Sequence, residues 1–133
     1  MESCIFCRIA RHETPAYMIA EDADTCCFLD IAMDAEGHML IIPKKHVSSL
    51  LDCDEETLGH VLQMVKRVAD HCTRCGYGGV NLLNASGTCA GQSVPHFHMH
   101  LLPRKSGDGM DTWPTLPGTS TPLLDVYNKL KME

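Results

Sequence analysis

Residues 96–101 read His-Phe-His-Met-His-Leu, so imidazole and apolar side chains alternate at every second position. Side chains two apart lie on one face of a β-strand, which places His96, His98 and His100 together and the apolar residues on a core face. A single partly buried histidine is ordinary. Three in register indicate chemistry or metal binding, because each desolvated imidazole needs a partner and contributes little packing. We predict a strand over 95–103.

Two further segments of the chain have the pattern of strands. Residues 17–29 contain β-favouring side chains around the polar stretch 21–24, which predicts a hairpin of two short strands. Residues 38–43 are apolar and end in proline, the pattern of a strand buried on both faces. Another strand is expected to begin at Val80, after a glycine-rich stop.

Apolar periodicity predicts one long helix, capped by Asp52 or Asp54. Its apolar positions recur at spacings of three and four: Leu58, Val61, Leu62, Val65, Val68, Ala69 and Cys72. The tail after Arg104 is predicted to be irregular until a short helix over 123–130. Strands, one long helix and more strands predict the α+β class, a mainly antiparallel sheet with that helix packed on it.

The length of 133 residues, without a break in composition, predicts a single domain over 1–133. A net charge of −6 disfavours long nucleic acid as a partner, because phosphate backbones are held by Lys and Arg. No stretch approaches the roughly 18 apolar residues of a membrane helix, and the start lacks the features of a signal peptide. We therefore expect no membrane partner and a cytoplasmic location.

Eight cysteines are many for this length. The pair Cys4-x-x-Cys7 has the spacing of half a zinc site and needs two more ligands, although two reduced cysteines without metal are the alternative. Packing explains Cys72 and Cys75, and a four-cysteine site joining both pairs would need a far longer separation than zinc ribbons have. The remaining cysteines are predicted to be small structural residues, with the adjacent two on opposite strand faces: Cys26, Cys27, Cys53 and Cys89.

Two uses fit three imidazoles on one strand. They can bind zinc directly, or one neutral imidazole can attack an electrophile while the others hold an anion. The small-residue loop 87–93 lies just upstream and predicts backbone N–H donors for phosphate oxygens. A glycine loop alone is weak evidence, since most such loops are only turns.

Residues 91–104 read Gly-Gln-Ser-Val-Pro-His-Phe-His-Met-His-Leu-Leu-Pro-Arg, which resembles the signature of the histidine-triad (HIT) family. Residues 30–46 are similar to the upstream strand of that family, and residues 4–9 resemble its common bacterial start. The resemblance covers a core of 4–104, leaves 105–133 as a divergent C-terminal tail, and points to the Hint-like branch of nucleoside phosphoramidases. Pro95 is a departure. Proline cannot donate to a strand ladder, so we expect the strand to begin at His96 or to bulge there.

The resemblance implies roles for individual residues. His98 would be the nucleophile that forms a nucleotidyl-histidine, and His100 and His38 would contact the phosphate oxygens. Ser93 would hydrogen-bond the phosphate or the leaving group. The implied substrate contacts are Asp30 to the ribose hydroxyls, Ile31 against the base, and Asn84 and Gln92 on the phosphate side.

The implied activity is hydrolysis or transfer of a nucleoside monophosphate, cleaved from a phosphoramidate or phosphoester, with adenosine as the expected purine. Gln92-Ser93 matches the phosphoramidase-like branch better than the branch that cleaves dinucleoside polyphosphates, which is the enzymatic alternative. A nucleotide-binding regulatory protein with vestigial activity is the third hypothesis; retention of all three histidines argues against it.

The resemblance also completes the metal site as a closed, structural zinc centre of Cys4, Cys7, His46 and His96. A purely structural zinc protein would leave His98 and the other triad residues without a role. Members of this family usually pair two subunits into one continuous sheet, which implies a homodimer here. Trp113 in the tail is the candidate for a tryptophan that closes the partner subunit's site.

Overall fold

The computed structural model describes residues 3–111 and 113–132. The ends of the predicted 1–133 domain, and residue 112 of its tail, lie outside the described residues. The strands are β1 (Met18–Glu21), β2 (Thr25–Leu29), β3 (Met39–Pro43), β4 (Gly79–Leu83) and β5 (Met99–Arg104). The α-helices are α1 (Ile5–Ala10), α2 (Glu55–Arg74) and α3 (Leu123–Leu130), and single 3-10 turns cover Leu50–Asp52 and Thr88–Ala90.

The five strands form one antiparallel sheet in the order β1-β2-β3-β5-β4. The predicted hairpin is β1–β2, and its turn is closed by Asp22, whose Oδ1 accepts from the backbone N–H groups of Asp24 and Thr25. Every residue of β3 is buried, as its apolar run predicts. With α2 packed on the sheet, the α+β prediction is confirmed.

Helix α2 begins where Asp54 accepts a hydrogen bond from the backbone N–H of Thr57, so the second of the two predicted caps is used. Gly76, with φ of +101°, follows the last turn, in the left-handed region that glycine tolerates. The apolar stripe of α2 packs on one face of the sheet, and the shared core includes Ile41, Val61, Met64, Phe97 and Leu101. Leu62 was predicted in this stripe but is 47% exposed, because it follows Val61 directly and lies at the solvent side of the helix.

A second, smaller core lies on the other face of the sheet, where Cys26, Phe28, Leu40 and Ile42 pack against α1. This six-residue helix was not predicted. Cys26 and Cys27 do lie in opposite cores, as expected for neighbours on a strand. His100 of β5 faces the α1 side, because it is in register with Leu40, which belongs to the smaller core.

The predicted strand over 95–103 is wrong in its first half, because β5 begins at Met99. The expectation that the strand begins or bulges at His96 is therefore also wrong. The chain before Met99 leaves the sheet because its polar groups bind elsewhere. The N–H of Phe97 donates to the carbonyl of Val47 (2.7 Å), and the His96 ring donates from Nε2 to the carbonyl of Pro43 (2.9 Å). Phe97 and Leu101 nevertheless enter the α2 core, so the predicted alternation of faces holds.

Two cysteine predictions are wrong. Cys75 and Cys89 are exposed rather than packed, whereas Cys72 is buried in the α2 core as predicted. The predicted short helix of the tail is α3, none of whose residues is buried, and Trp113 is also exposed. Within the described residues, no helix has the length and apolarity needed to span a membrane.

Candidate active site

The His98 ring has a defined tautomer. Its Nδ1 lies 2.7 Å from the carbonyl oxygen of His96, which can only accept, so Nδ1 carries the proton. In the neutral ring Nε2 then keeps its lone pair. The side chain is buried to 7% exposure and packs edge-on against the Phe6 ring, with centroids 5.1 Å apart. The fold therefore presents a fixed imidazole with one nucleophilic nitrogen.

His100 and His38 form a hydrogen-bonded pair beside His98. The Nε2 of His38 lies 2.8 Å from the Nδ1 of His100, and the His100 ring centroid is 4.9 Å from that of His98. His38 donates from Nδ1 to Asp34 (2.7 Å), and the carboxylate of Asp30 lies 3.8 Å from its Nε2. Burial lowers the pKa of His100, which favours its neutral form.

The His38–His100 pair lines a cleft of about 570 Å³. Its walls combine apolar side chains, among them Leu83, Leu102 and Met110, with the carboxylates of Asp34 and Asp111. Ile31 is 80% exposed, and Asp30 lies at the end of β2, where its Oδ1 accepts from the N–H of Ala32. A cleft of this size beside fixed imidazoles can hold a small ligand.

The loop 87–93 is held mainly by its own bonds. Gln92 accepts from the N–H of Gly87 (2.9 Å) and donates to the carbonyls of Ser48 and Val94, so its amide is engaged within the protein. Backbone donors of the loop, at Ala90, Gly91 and Gln92, also bind within it. The expected set of free N–H groups is therefore smaller than predicted.

Ser93 is exposed, and within residues 3–111 and 113–132 its hydroxyl and N–H make no hydrogen bond. It lines a separate cleft beside Cys4 and His46, not the one that His38 and His100 share. Asn84 donates to the carbonyl of His98 (2.9 Å), so it fixes the backbone of the candidate nucleophile.

The four predicted metal ligands come together, with their donor atoms all within 4.8 Å of one another. The Cys7 sulfur lies 3.2 Å from Nδ1 of His46 and 3.5 Å from Nδ1 of His96, and the Cys4 sulfur lies 3.4 Å from Nδ1 of His96. Zn–S bonds of about 2.3 Å and Zn–N bonds of about 2.0 Å in a tetrahedron give S···N edges of about 3.5 Å. The spacing of this cluster fits zinc.

The tautomer of His96 fits a metal as well. Its Nε2 donates to the carbonyl of Pro43, which leaves the lone pair on Nδ1, the atom that faces both sulfurs. Burial lowers the pKa of His96 to about 4, so the ring is neutral at pH 7 and can act as a ligand. The two rings therefore use opposite nitrogens. The lone pair of His96 is on Nδ1 and faces the sulfurs, whereas in a neutral His98 it is on Nε2.

Sequence reasoning missed two residues of this site. Phe6 packs on the rings of both His96 and His98, and Asp34 binds His38. Phe6 lies between the two cysteines of the recognised pair, which could have drawn attention to it. Asp34 has no such signal, because its contact depends on the path of loop 30–38, where Met33 has φ of +55°.

A family model described as the HIT domain matches residues 11–107. The chain belongs to the HIT family. The adenosine 5'-monophosphoramidase HNT1 of Candida albicans is 37% identical, in an alignment that covers 98% of this chain and 91% of that protein.

Solved HIT structures agree with the fold. A HIT family member from Bacillus subtilis has a TM-score of 0.79 and 33% identity, covering 96% of this chain and 94% of that one. A zinc-bound histidine triad protein from Mycobacterium smegmatis has a TM-score of 0.76 and 35% identity, covering 83% of this chain and 81% of that one.

Proposed function

We propose that this HIT protein hydrolyses nucleoside 5'-phosphoramidates and related esters, with adenosine as the nucleoside, through a nucleotide bound covalently to His98. The observation that carries this proposal is the His98 tautomer, set by the 2.7 Å bond from Nδ1 to the His96 carbonyl. It leaves Nε2 as an unprotonated nucleophile beside the paired rings of His38 and His100. The C. albicans relative, named an adenosine 5'-monophosphoramidase, supports the substrate class.

In the first step the Nε2 lone pair of His98 attacks phosphorus, forming a P–N bond while the P–N or P–O bond to the leaving group breaks. The departing amine or alcohol takes up a proton from bulk water, and the water that attacks in the second step gives one proton back. The imidazole of His100 is placed to donate to a phosphate oxygen, with His38 behind it. Asp30, at the end of β2, is assigned to the ribose hydroxyls, and Ile31 to the base.

In the second step water attacks the same phosphorus, the bond to His98 breaks, and a nucleoside monophosphate leaves. The neutral ring is regenerated, with its Nδ1 proton still on the His96 carbonyl. Asn84 and Gln92 contribute on the phosphate side through the backbone and loop that they hold, since their amides bind the His98 carbonyl and the carbonyls of Ser48 and Val94.

A substrate comparison tests the proposal. We expect hydrolysis of an adenosine phosphoramidate with kcat/KM at least about tenfold above that for a dinucleoside polyphosphate, a difference of about 1.4 kcal/mol in transition-state binding. Preference for the dinucleotide would favour the alternative enzyme. Binding of adenosine monophosphate without turnover of either substrate would indicate the regulatory protein.

Ser93→Ala is expected to slow substrates with poor leaving groups more than those with good ones. A hydroxyl that donates to the departing atom matters most when protonation limits the rate. The Ser93 hydroxyl is available, because it binds nothing within the described residues. The measurement is kcat across a series of leaving groups. Ser3→Ala, which removes an exposed hydroxyl from the same cleft, is the control, and equal slowing across the series would give Ser93 a binding role only.

We also propose that Cys4, Cys7, His46 and His96 hold a structural zinc ion. The distances and the His96 tautomer support it, as does the zinc-bound HIT structure from M. smegmatis. Two thiolates and two imidazoles make a closed set that would stabilise the junction of α1 with the segment before β5.

A homodimer is proposed through β4, which is an edge strand of the sheet. Leu82 and Leu83 on this strand are 43% and 47% exposed, and pairing two such edges would continue the sheet and cover unpaired backbone groups. Light scattering coupled to gel filtration should give twice the chain mass. A monomer at micromolar concentration would contradict this proposal.

A further inference from the structure

Asp34 contacts the candidate site without a part in the reaction described above. Its Oδ1 accepts from Nδ1 of His38 at 2.7 Å, a short distance typical of a charge-assisted hydrogen bond. This bond lowers the pKa of Asp34, so the carboxylate is charged at neutral pH. Met33, next to it, has φ of +55° and is 90% exposed, so a strained backbone brings this carboxylate to the ring without gain from packing.

The hydrogen bonds that link Asp34, His38 and His100 limit which ring nitrogens can donate a proton. A neutral His100 has one N–H. If its Nδ1 carries that proton, it donates to His38 over the 2.8 Å contact, and Nε2 has none for a phosphate oxygen. If Nε2 carries the proton, His38 must donate from its own Nε2. His38 already donates Nδ1–H to Asp34, so it would then hold two protons and a positive charge.

We propose that Asp34 is a positioning residue that keeps His38 doubly protonated when a phosphate is bound, so that His100 presents its N–H to the phosphate. This proposal rests on the proposed function. The charge on His38 also lies close to where negative charge develops in the reaction. The other groups that face His38 are Asp30, 3.8 Å away, and His100, with Asp111 and Arg104 in the same cleft. Arg104 is already paired with Asp108 at 2.7 Å, which reduces its repulsion of His38.

Asp34→Asn keeps an acceptor oxygen and removes the charge. Since the Asp34 side chain is 60% exposed, we expect a moderate loss, about five- to tenfold in kcat, with KM changed by less than about twofold. Without the Asp34 carboxylate, the charged form of His38 loses the opposite charge to which it is hydrogen-bonded. The alkaline limb of the activity profile should therefore move down by about half a pH unit or more. Asp34→Glu should recover part of kcat.

The matched control is Glu36→Gln, which removes the same charge from the same loop. Glu36 accepts from the Tyr77 hydroxyl and pairs with Lys105, away from His38, so its kcat and pH profile should stay at wild-type values. In a His38→Gln background, Asp34→Asn should cause no further loss of kcat, because Asp34 acts through His38. An equal loss in both backgrounds, or an unshifted alkaline limb, would overturn the proposal.

A readout without catalysis separates this proposal from the proposed function. Nitrogen-15 NMR of the histidine rings, with and without adenosine monophosphate, should show His38 losing its second proton at lower pH in Asp34→Asn than in wild type. If the wild type shows no phosphoramidase activity, the proposed function fails while this titration still tests Asp34. If the enzyme is active and the two titrations coincide, the role of Asp34 is wrong.

Discussion

His98→Ala is expected to reduce phosphoramidate turnover by about three orders of magnitude or more, while the affinity for adenosine monophosphate changes by less than about tenfold. The variant removes the nitrogen that forms the covalent bond but leaves the cleft of His38 and His100. Because the His98 ring is buried and packs edge-on against Phe6, the Tm of the variant is measured to confirm that it folds. Single-turnover kinetics and calorimetric binding measure the two quantities.

His71→Ala is the matched control, because it removes an exposed imidazole on α2 whose contact is with the sulfur of Cys75. Its turnover should equal that of wild type. His98→Gly with added imidazole should regain part of the lost activity, since a free imidazole can occupy the vacated volume. A His98→Ala variant that retains more than about a tenth of wild-type turnover would show that another group is the nucleophile.

Cys7→Ser is expected to lose most of the bound zinc and about 3 kcal/mol of unfolding free energy, which lowers Tm by about 10 °C. Cys7 is 3% exposed and His96 is fully buried, so without the metal their polar atoms would be left with poor partners in a closed site. Wild type should carry about one zinc per chain. Metal analysis and thermal unfolding test both expectations. We expect Cys4→Ser to lower zinc content and Tm as well.

Cys75→Ser is the control for the zinc prediction, since Cys75 belongs to the other Cys-x-x-Cys pair and is exposed. It should leave zinc content and Tm unchanged. Chelated protein that remains folded should keep most of its activity, because the backbone around His98 is also held by the bonds of His96 to Pro43 and of Phe97 to Val47. Absence of zinc after mild purification would contradict the site, and loss of activity in folded, zinc-free protein would place the metal in the mechanism.

Sequence periodicity predicted the helix and the strand whose buried faces can be recognised within one continuous run of residues. The stripe of α2 and the buried run of β3 are long enough to define a face, and the predicted residues pack in the core apart from the exposed Leu62. Helix α1 has only six residues, too few to show a helical period, and its place is set by the second core. The predictions that Cys75 and Cys89 are packed were wrong because residue type alone does not determine exposure.

The candidate site also contains residues that the sequence predicted and residues that it did not. The Cys4–Cys7 half of the metal group could be predicted from its spacing, whereas His46 and His96 were implied only by the resemblance to the HIT family, because nothing in their local sequence marks them as ligands. The start of β5 was missed because hydrogen bonds to Pro43 and Val47, distant in sequence, draw the chain out of the sheet before Met99. Asp34 could not be found, since its bond to His38 depends on loop geometry that no period encodes.

In the proposed mechanism a nucleotide becomes attached to His98. The direct measurement is rapid acid-free quenching of the enzyme mixed with an adenosine phosphoramidate, followed by intact-mass and peptide mass spectrometry. We expect an added adenylyl group on the peptide that contains residues 96–100, located on His98. It should form and disappear at rates consistent with kcat, and it should be absent in His98→Ala. Full turnover with no adduct on any histidine, or an adduct located on His96 or His100, would contradict it.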